Sequence, residues 1–203
     1  MHPTTSAPLE ADCIYHIYSR GINSGLIFKN RENYEFFLTR FHHYIDEYAD
    51  LLAYCLMPNH YHFLIRIKSQ AILDELHEKK AKRKKFSEGL HAPSSIVSKQ
   101  LASFFNSYTQ AYNKKFERHG ALIESPFRRK RVKTEKYLKN VIIYIHQNPL
   151  DIGVKPEDYM FCSFNDILKN NFHFREFHLE LFGDLENFLH VHKLNNDIDP
   201  DWD

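Results

Sequence analysis

The chain has 203 residues with 43% hydrophobic and 15% aromatic content, which is typical of a globular protein and excludes a disordered one. Its formal net charge of +1 is too small to indicate a nucleic-acid partner by itself. Three scattered cysteines, together with the lack of a membrane-spanning run or a signal peptide, favour a cytoplasmic protein over a secreted or membrane-bound one.

Periodicity and breaker residues predict seven elements in the order β-α-β-β-α-β-α. After a loose leader over residues 1–11, they are strand 13–19, helix 31–48, strands 51–57 and 61–68, helix 94–118, strand 127–132 and helix 134–147. Residues 72–89 are charged and less regular. This order predicts an α+β domain over residues 12–165, with a ferredoxin-like or palm-like antiparallel sheet and helices packed on one face. Residues 166–203 are expected to form a C-terminal helical appendage with an acidic tail.

The most informative stretch is His60-Tyr61-His62, which follows a turn at residues 57–59 between two predicted strands. Because side chains alternate along a strand, His60 and His62 project from the same face. Two imidazoles this close on a stiff strand can bind one divalent metal ion. The alternative is a pair of hydrogen-bonded histidines in a half-buried strand, and the short pattern taken alone favours that alternative.

A second pattern lies in the predicted helix over residues 134–147. Thr134 is suited to cap this helix, apolar residues recur at helical spacing, and Pro149 ends it. Tyr144 and Asn148 are four residues apart and therefore share one helix face. This face presents a phenol beside an amide that can ligate a metal. The alternative is that Tyr144 packs in the core and Asn148 caps the helix.

Together, the two patterns resemble the single-tyrosine HUH transposases, and most closely their REP-associated branch. The resemblance is carried by His-hydrophobe-His on a strand, followed far downstream by a helix with Tyr-x-x-x-Asn-Pro. Other similar stretches are residues 15–21 (YHIYSRG), 56–62 (LMPNHYH), 108–115 (YTQAYNKK), 119–122 (HGAL) and 127–128 (FR). The resemblance covers about residues 13–165. Tyr61 stands where many relatives carry an aliphatic residue, which leaves the histidine pair intact.

The resemblance implies a metal-dependent single-stranded DNA endonuclease and strand transferase that acts at hairpin-bearing, REP-like repeats. Tyr144 would be its nucleophile and would form a 5′-phosphotyrosine. His60 and His62 would hold Mg²⁺ or Mn²⁺ together with Asn148. The neighbouring Gln147 is a chemically equivalent third ligand, although spacing of four residues from Tyr144 favours Asn148.

Two other functions use the same fold or the same histidines. A catalytically idle regulatory protein would only bind nucleic-acid hairpins, and a hydrolase of small phosphoesters would use the histidines without needing Tyr144. The chain is expected to act away from membranes as a monomer or a homodimer. Tyr144 could then serve the histidines of its own chain or those of a partner.

Basic residues near the predicted site are candidates for contacts with DNA phosphates. The main cluster precedes the Tyr144 helix and comprises Arg128, Arg129, Lys130, Arg131 and Lys133; Arg20, Lys114 and Lys115 are further candidates. The alternative for the main cluster is a solvated strand edge protected by charge. A second basic run, residues 79–85, is either a loop that engages a hairpin stem or a solvated helix face.

Overall fold

The computed structural model describes residues 8–83 and 94–194, and within them four strands form one antiparallel sheet. The strands are β1 (Ile14–Arg20), β2 (Ala49–Met57), β3 (His60–Ile67) and β4 (Arg128–Val132), arranged in the order β2-β3-β1-β4. The predicted α+β class with an antiparallel sheet is confirmed. Each predicted strand also ends within two residues of its observed bounds.

Seven α-helices occupy the described residues. They are α1 (Arg31–Ile45), α2 (Gln70–Arg83), α3 (Ser94–Lys115), α4 (Glu135–Gln147), α5 (Ser163–Leu168), α6 (Arg175–Phe182) and α7 (Leu185–Leu194). The predicted cap of α4 is confirmed, because the Thr134 hydroxyl accepts the Tyr137 N–H at 3.2 Å. This cap fixes where α4 begins, and therefore which of its residues face the sheet.

Residues 70–83 form a helix, where the sequence was expected to be irregular. The expectation was wrong because a short apolar pair is enough to hold α2. Leu73 is 1% exposed and Leu76 packs against the same core, three residues further along the helix. The basic run 79–85 begins on this helix. Beyond its first residue, the run lies outside the residues whose side chains the structure describes.

One face of the sheet packs against α1 and α3. Tyr61 and Phe63 of β3 point to this face and meet Phe37 of α1 and Phe104 of α3 in a fully buried aromatic core. The rings of Phe37 and Phe104 lie 4.7 Å apart between their centroids. Because side chains alternate along β3, burial of Tyr61 on this face sends its two neighbouring histidines to the other face.

The opposite face is covered by α4 and the C-terminal helices. The predicted packing of helices on one face therefore holds for α1 and α3, but a second layer of helices lies on the other face. The reason lies in the central strands. Eight of the nine residues of β2 are buried, and a strand buried along its whole length needs a layer on each side. The second layer includes Val141 and Ile145 of α4, which pack against Leu64 of β3.

Three buried histidines connect the C-terminal helices to α4 and to the sheet. His146 contacts Ser163 Oγ through Nε2 and His192 Nε2 through Nδ1, each at 2.9 Å. His178 donates through Nε2 to the Leu52 carbonyl at 2.6 Å. Burial lowers the pKa of His178 and of His192 to about 4, and it lowers the pKa of His146 well below the ordinary value. All three are therefore neutral at pH 7.

The two outer edges of the sheet differ in whether another segment pairs with the edge strand. The β2 edge is paired, because the Leu56 N–H donates to the Phe161 carbonyl at 2.9 Å and Cys55 forms an antiparallel bridge with Cys162. The β4 edge pairs with no further strand among the described residues, and four of its five residues are basic. Charge on an open edge opposes pairing with another chain.

The two ends of the chain are only partly described. Part of the predicted leader is packed, since Leu9 is fully buried and the Tyr15 hydroxyl donates to the Pro8 carbonyl at 3.1 Å. Helices α6 and α7 occupy the region predicted as the appendage, while the acidic tail over residues 195–203 lies outside the described part. No helix in residues 8–83 or 94–194 is both long and apolar enough to cross a membrane.

Candidate active site

His60 and His62 lie at the start of β3, on the face that α4 covers. The strand register pairs His60 with Arg20 and His62 with Tyr18 of β1, in the middle of the sheet. The two imidazole rings are 5.2 Å apart between centroids and nearly perpendicular, at 87°. His62 is 5% exposed, whereas His60 is half-buried at the rim of a cleft.

Tyr144 comes to these histidines from α4. Its ring lies 5.3 Å from the His62 ring, edge to face at 89°. Two tyrosines of α3 are rival nucleophiles by residue type, but they lie elsewhere: the Tyr108 and Tyr112 hydroxyls donate to the carbonyls of Ile27 and Leu26 in the α1–α3 core, at 2.8 and 3.4 Å. Among these three tyrosines, the structure brings only Tyr144 to the histidines.

The two amides considered as third ligands point in different directions. Asn148 Oδ1 lies 3.0 Å from His60 Nε2, and the Asn148 amide N–H donates to the Tyr144 carbonyl at 2.8 Å. The Gln147 amide instead donates to the His192 carbonyl at 2.7 Å, toward the C-terminal helices. The structure therefore places Asn148, and not Gln147, beside the histidine pair.

The contacts of His60 fit a bound cation. Its Nδ1 lies 2.8 Å from Asn59 Oδ1 and its Nε2 lies 3.0 Å from Asn148 Oδ1. A neutral imidazole has one N–H, so it can donate to only one of these oxygens. When Nδ1 donates to Asn59, the Nε2 lone pair faces the Asn148 oxygen, and a cation between these two atoms would be attracted to both.

The separation of these donor atoms also fits a metal ion. His60 Nε2 and Asn148 Oδ1 lie at the hydrogen-bonding distance of 3.0 Å, and an octahedral ion with bonds of about 2.1 Å would hold two neighbouring ligands about 3.0 Å apart as well. Within the described residues, no three His, Cys, Asp or Glu side chains are grouped as they are around a metal. A metal at this place would therefore need the Asn148 amide as its third protein donor.

Electrostatics keep the deeper histidine neutral. Burial lowers the pKa of His62 well below its ordinary value, and the neighbouring His16 and His60 rings lower it further. Burial, with a smaller contribution from Lys130, lowers the pKa of His16 to about 3. A neutral imidazole is the form that binds metal ions, so His62 needs no deprotonation at pH 7 to act as a ligand.

The histidines, Tyr144 and Asn148 open into one cleft of about 310 Å³. Exposed Arg128 lines this cleft, and Arg20 lies at the same rim in an ion pair with Glu124 at 2.8 Å. The rim turns at Gly21, where a Cβ atom would lie 1.9 Å from the Gly25 carbonyl oxygen. Only glycine fits there, so the close turn that shapes this wall depends on Gly21.

The alternation of β4 divides the main basic cluster between the two faces of the sheet. Arg128 pairs with Tyr18 and Lys130 pairs with His16, so both basic side chains share the face of the histidines. Lys130 also lies 5.1 Å from the centre of the Tyr137 ring, near the start of α4. These two cations continue the surface of the cleft along the open edge of the sheet.

The other basic residues of β4 are on the far side. Arg129 donates to the Ser98 hydroxyl of α3 at 2.9 Å, and Arg131 forms an ion pair with Glu10 at 2.6 Å. Lys133 is exposed just beyond the strand.

Two further candidates lie at the end of α3. Lys114 and Lys115 are both exposed, and Lys115 forms an ion pair with Glu32. The sequence cluster is thus not one surface, and Arg128 and Lys130 are the members on the face of the candidate site.

Sequence reasoning missed two residues that lie within hydrogen-bonding distance of the histidines. His16 Nε2 lies 2.9 Å from His62 Nδ1, and Asn59 Oδ1 lies 2.8 Å from His60 Nδ1. Asn59 directly precedes His60, so its proximity could have been found from the turn. The contact of His16 depends on the pairing of β1 with β3, which no local pattern reveals.

Comparisons with known proteins give one fold match. No family model and no curated protein matches the sequence. A solved structure described as a REP-associated tyrosine transposase bound to a REP hairpin matches with a TM-score of 0.53 and 13% identity. The match covers 85% of this chain and 88% of the transposase chain. It confirms the predicted fold, while function at this low identity has to be argued from the site.

Proposed function

We propose that this protein is a metal-dependent single-stranded DNA endonuclease and strand transferase that cuts at hairpin-bearing repeats. The observation that carries this proposal is the convergence of Tyr144, Asn148, His60 and His62 on one cleft, although His60 and Asn148 are 88 residues apart in the chain. A nucleophile, a metal-binding set of donors and nearby cations are the parts that phosphodiester cleavage requires. The fold match to a hairpin-bound transposase supports the choice of substrate.

His60, His62 and Asn148 are the residues that would hold a divalent ion, Mg²⁺ or Mn²⁺. When bound, such an ion polarises a phosphate oxygen and offsets the charge that develops at phosphorus. Two imidazoles and one amide leave other coordination positions for phosphate oxygens and water. Imidazole donors favour Mn²⁺ over Mg²⁺ in affinity, so Mn²⁺ is the better probe in vitro.

Tyr144 is the proposed nucleophile. Its phenol oxygen forms a bond to phosphorus while the bond from phosphorus to the 3′ oxygen of the preceding nucleotide breaks. The phenol gives up its proton and the departing 3′ oxygen takes one up, so charge is balanced over the step. The products are a 5′-phosphotyrosine and a free 3′-hydroxyl. Because the new ester keeps the bond energy, attack by another 3′-hydroxyl reverses the step and joins two strands.

The arrangement supports cleavage within one chain. The Tyr144 ring lies 5.3 Å from the ring of His62 in the same molecule, so a single copy supplies both nucleophile and metal donors. Arg128 and Lys130 then offer two cations for the DNA backbone on the same face of the sheet. Phosphate contacts of this kind hold a strand in register but do not read its sequence.

The test is a search for the covalent intermediate. Wild-type protein is incubated with Mn²⁺ and single-stranded hairpin oligonucleotides, and the adduct is located by peptide mapping. We expect the adduct at Tyr144, and we expect Tyr144→Phe to lose cleavage and adduct while it keeps hairpin binding. Tyr112→Phe is the matched control, since the Tyr112 hydroxyl donates to a backbone carbonyl in the other core.

Two outcomes would contradict the mechanism. Cleavage by the Tyr144→Phe variant would mean that water or another side chain attacks phosphorus. A wild-type protein that binds both Mn²⁺ and hairpins tightly but never forms an adduct would instead be a regulatory hairpin-binding protein.

A further inference from the structure

His16 of β1 lies directly behind His62, away from the mouth of the cleft. Its Nε2 is 2.9 Å from His62 Nδ1, and the two rings are stacked at 5.1 Å between centroids with an angle of 23° between their planes. His16 is 1% exposed, so substrate in the cleft would contact His62 rather than His16. Nothing in the proposed cleavage step uses His16 directly.

The contact decides which nitrogen of His62 is available to a ligand. An imidazole has two ring nitrogens, and His16 occupies Nδ1 of His62, which leaves only Nε2 for the cleft. A neutral ring carries one proton, and a nitrogen that binds a metal must carry none. For Nε2 to be free, the proton must sit on Nδ1 and be donated to His16.

His60 shows the same arrangement with a different partner. Its Nδ1 lies 2.8 Å from Asn59 Oδ1, and its Nε2 faces Asn148. Both histidines thus have Nδ1 engaged by a neighbour and Nε2 left for the site. Neither neighbour is a carboxylate, although carboxylates are common partners of metal-binding histidines. A neutral acceptor adds no negative charge beside a site that must admit a phosphate.

We propose that His16 is a positioning residue, which accepts the Nδ1 proton of His62 and thereby keeps the Nε2 lone pair of His62 directed into the cleft. The assignment of His62 as donor and His16 as acceptor rests on the proposed function, which requires a free Nε2 on His62, whereas the 2.9 Å contact between the two rings does not. The proposal assigns to β1 a role that extends beyond packing the sheet.

The first measurement is made on metal-free protein. Nitrogen NMR of the imidazole groups reports which nitrogen of His62 carries the proton. We expect Nδ1–H on His62 in the wild type. In His16→Phe, which keeps an aromatic ring against Tyr18 but has no acceptor, we expect a mixture of both tautomers. An Nε2–H tautomer of His62 in the wild type would overturn the proposal.

The second measurement is Mn²⁺ affinity by calorimetric or paramagnetic titration. Loss of an outer partner of a metal-binding histidine commonly weakens affinity about 10- to 100-fold, and we expect a loss of this size in His16→Phe. His16→Gln places an amide oxygen near the position of Nε2, so it should regain most of the affinity. Unchanged Mn²⁺ binding by His16→Phe would contradict the positioning role.

His178→Phe is the matched control for the loss of a buried histidine. His178 is fully buried, donates to a backbone carbonyl on β2 and is not among the residues that line the cleft. This variant should melt at a lower temperature than the wild type, with the His62 tautomer and the Mn²⁺ affinity unchanged. If the wild type shows Nδ1–H on His62 but binds no Mn²⁺, the positioning contact stands and the metal-dependent function fails.

Discussion

The two faces of β4 are expected to contribute unequally to DNA binding. Arg128 and Lys130 share the face of the candidate site, whereas Arg129 and Arg131 lie on the opposite face with partners of their own. We therefore compare Arg128→Gln/Lys130→Gln with Arg129→Gln/Arg131→Gln. Both double variants remove two positive charges from the same strand but from opposite faces, and the second variant also removes the contacts of Arg129 with Ser98 and of Arg131 with Glu10.

The magnitude follows from counterion release. On single-stranded DNA, each phosphate contact adds about 0.7 to the slope of log affinity against log salt concentration. Loss of two contacts should lower the slope of the Arg128→Gln/Lys130→Gln variant by about 1.4. If both proteins bind equally at 1 M salt, this difference corresponds to roughly 25-fold weaker binding at about 0.1 M salt. The slope of the Arg129→Gln/Arg131→Gln variant should change by less than about 0.7, the value for one phosphate contact.

Fluorescence anisotropy with a labelled single-stranded hairpin oligonucleotide, measured from about 50 to about 200 mM salt, gives both slopes. Thermal melts must accompany the titrations, because Arg129 is half-buried and its hydrogen bond to α3 supports the fold. Equal losses in the two variants would show that the faces do not differ. A larger loss in the control would move the DNA-binding surface to the α3 side of the sheet.

Two further predictions concern the amides at the end of α4 and the buried histidines of α4, α6 and α7. Asn148→Ala should weaken Mn²⁺ binding by more than the roughly 10- to 100-fold that is typical for loss of an outer partner of a ligand, whereas Gln147→Ala should leave Mn²⁺ binding unchanged. Titration of both variants with Mn²⁺ measures the two effects. Equal losses of affinity would contradict the assignment of Asn148 as the ligand. The free energy of unfolding should fall as pH drops from 6.5 toward about 4, because His178 and His192 have folded pKa values of about 4 and His146 is also lowered. The unfolded chain binds more protons than the folded chain in this pH window, so each histidine lowers the free energy of unfolding by up to about 1.4 kcal/mol per pH unit. Urea titrations at a series of pH values measure this free energy. A free energy of unfolding that does not change with pH would refute the prediction.

The elements that carry the site could be predicted because their signals are local. The Thr134 cap, the apolar spacing of α4 and the stop at Pro149 are written within one short segment, and the structure has the helix there. The same holds for the alternation that puts His60 and His62 on one face of β3. Such patterns depend on neighbours in sequence, so a single sequence is enough to find them.

Features that depend on pairing between distant strands could not be predicted. The register of β1 against β3 and β4 decides that His16 contacts His62 and that Lys130 shares the face of the site while Arg129 does not. A shift of one residue would exchange the two faces, and the sequence of a five-residue basic strand does not exclude that shift. The second layer of helices was missed for a related reason, since burial of β2 on both faces is a property of the whole sheet.

The end of α4 is held from two sides, and this explains how adjacent amides come to differ. Toward the sheet, Asn148 is tied to the Tyr144 carbonyl and lies beside His60. Toward the C-terminal helices, Gln147 is bonded to the His192 carbonyl and His146 to the His192 ring. The last turn of α4 therefore cannot rotate to exchange the two amides without breaking buried hydrogen bonds on the appendage side. The C-terminal helices thus fix the rotation of α4, and with it the direction in which Asn148 presents its oxygen to the cleft.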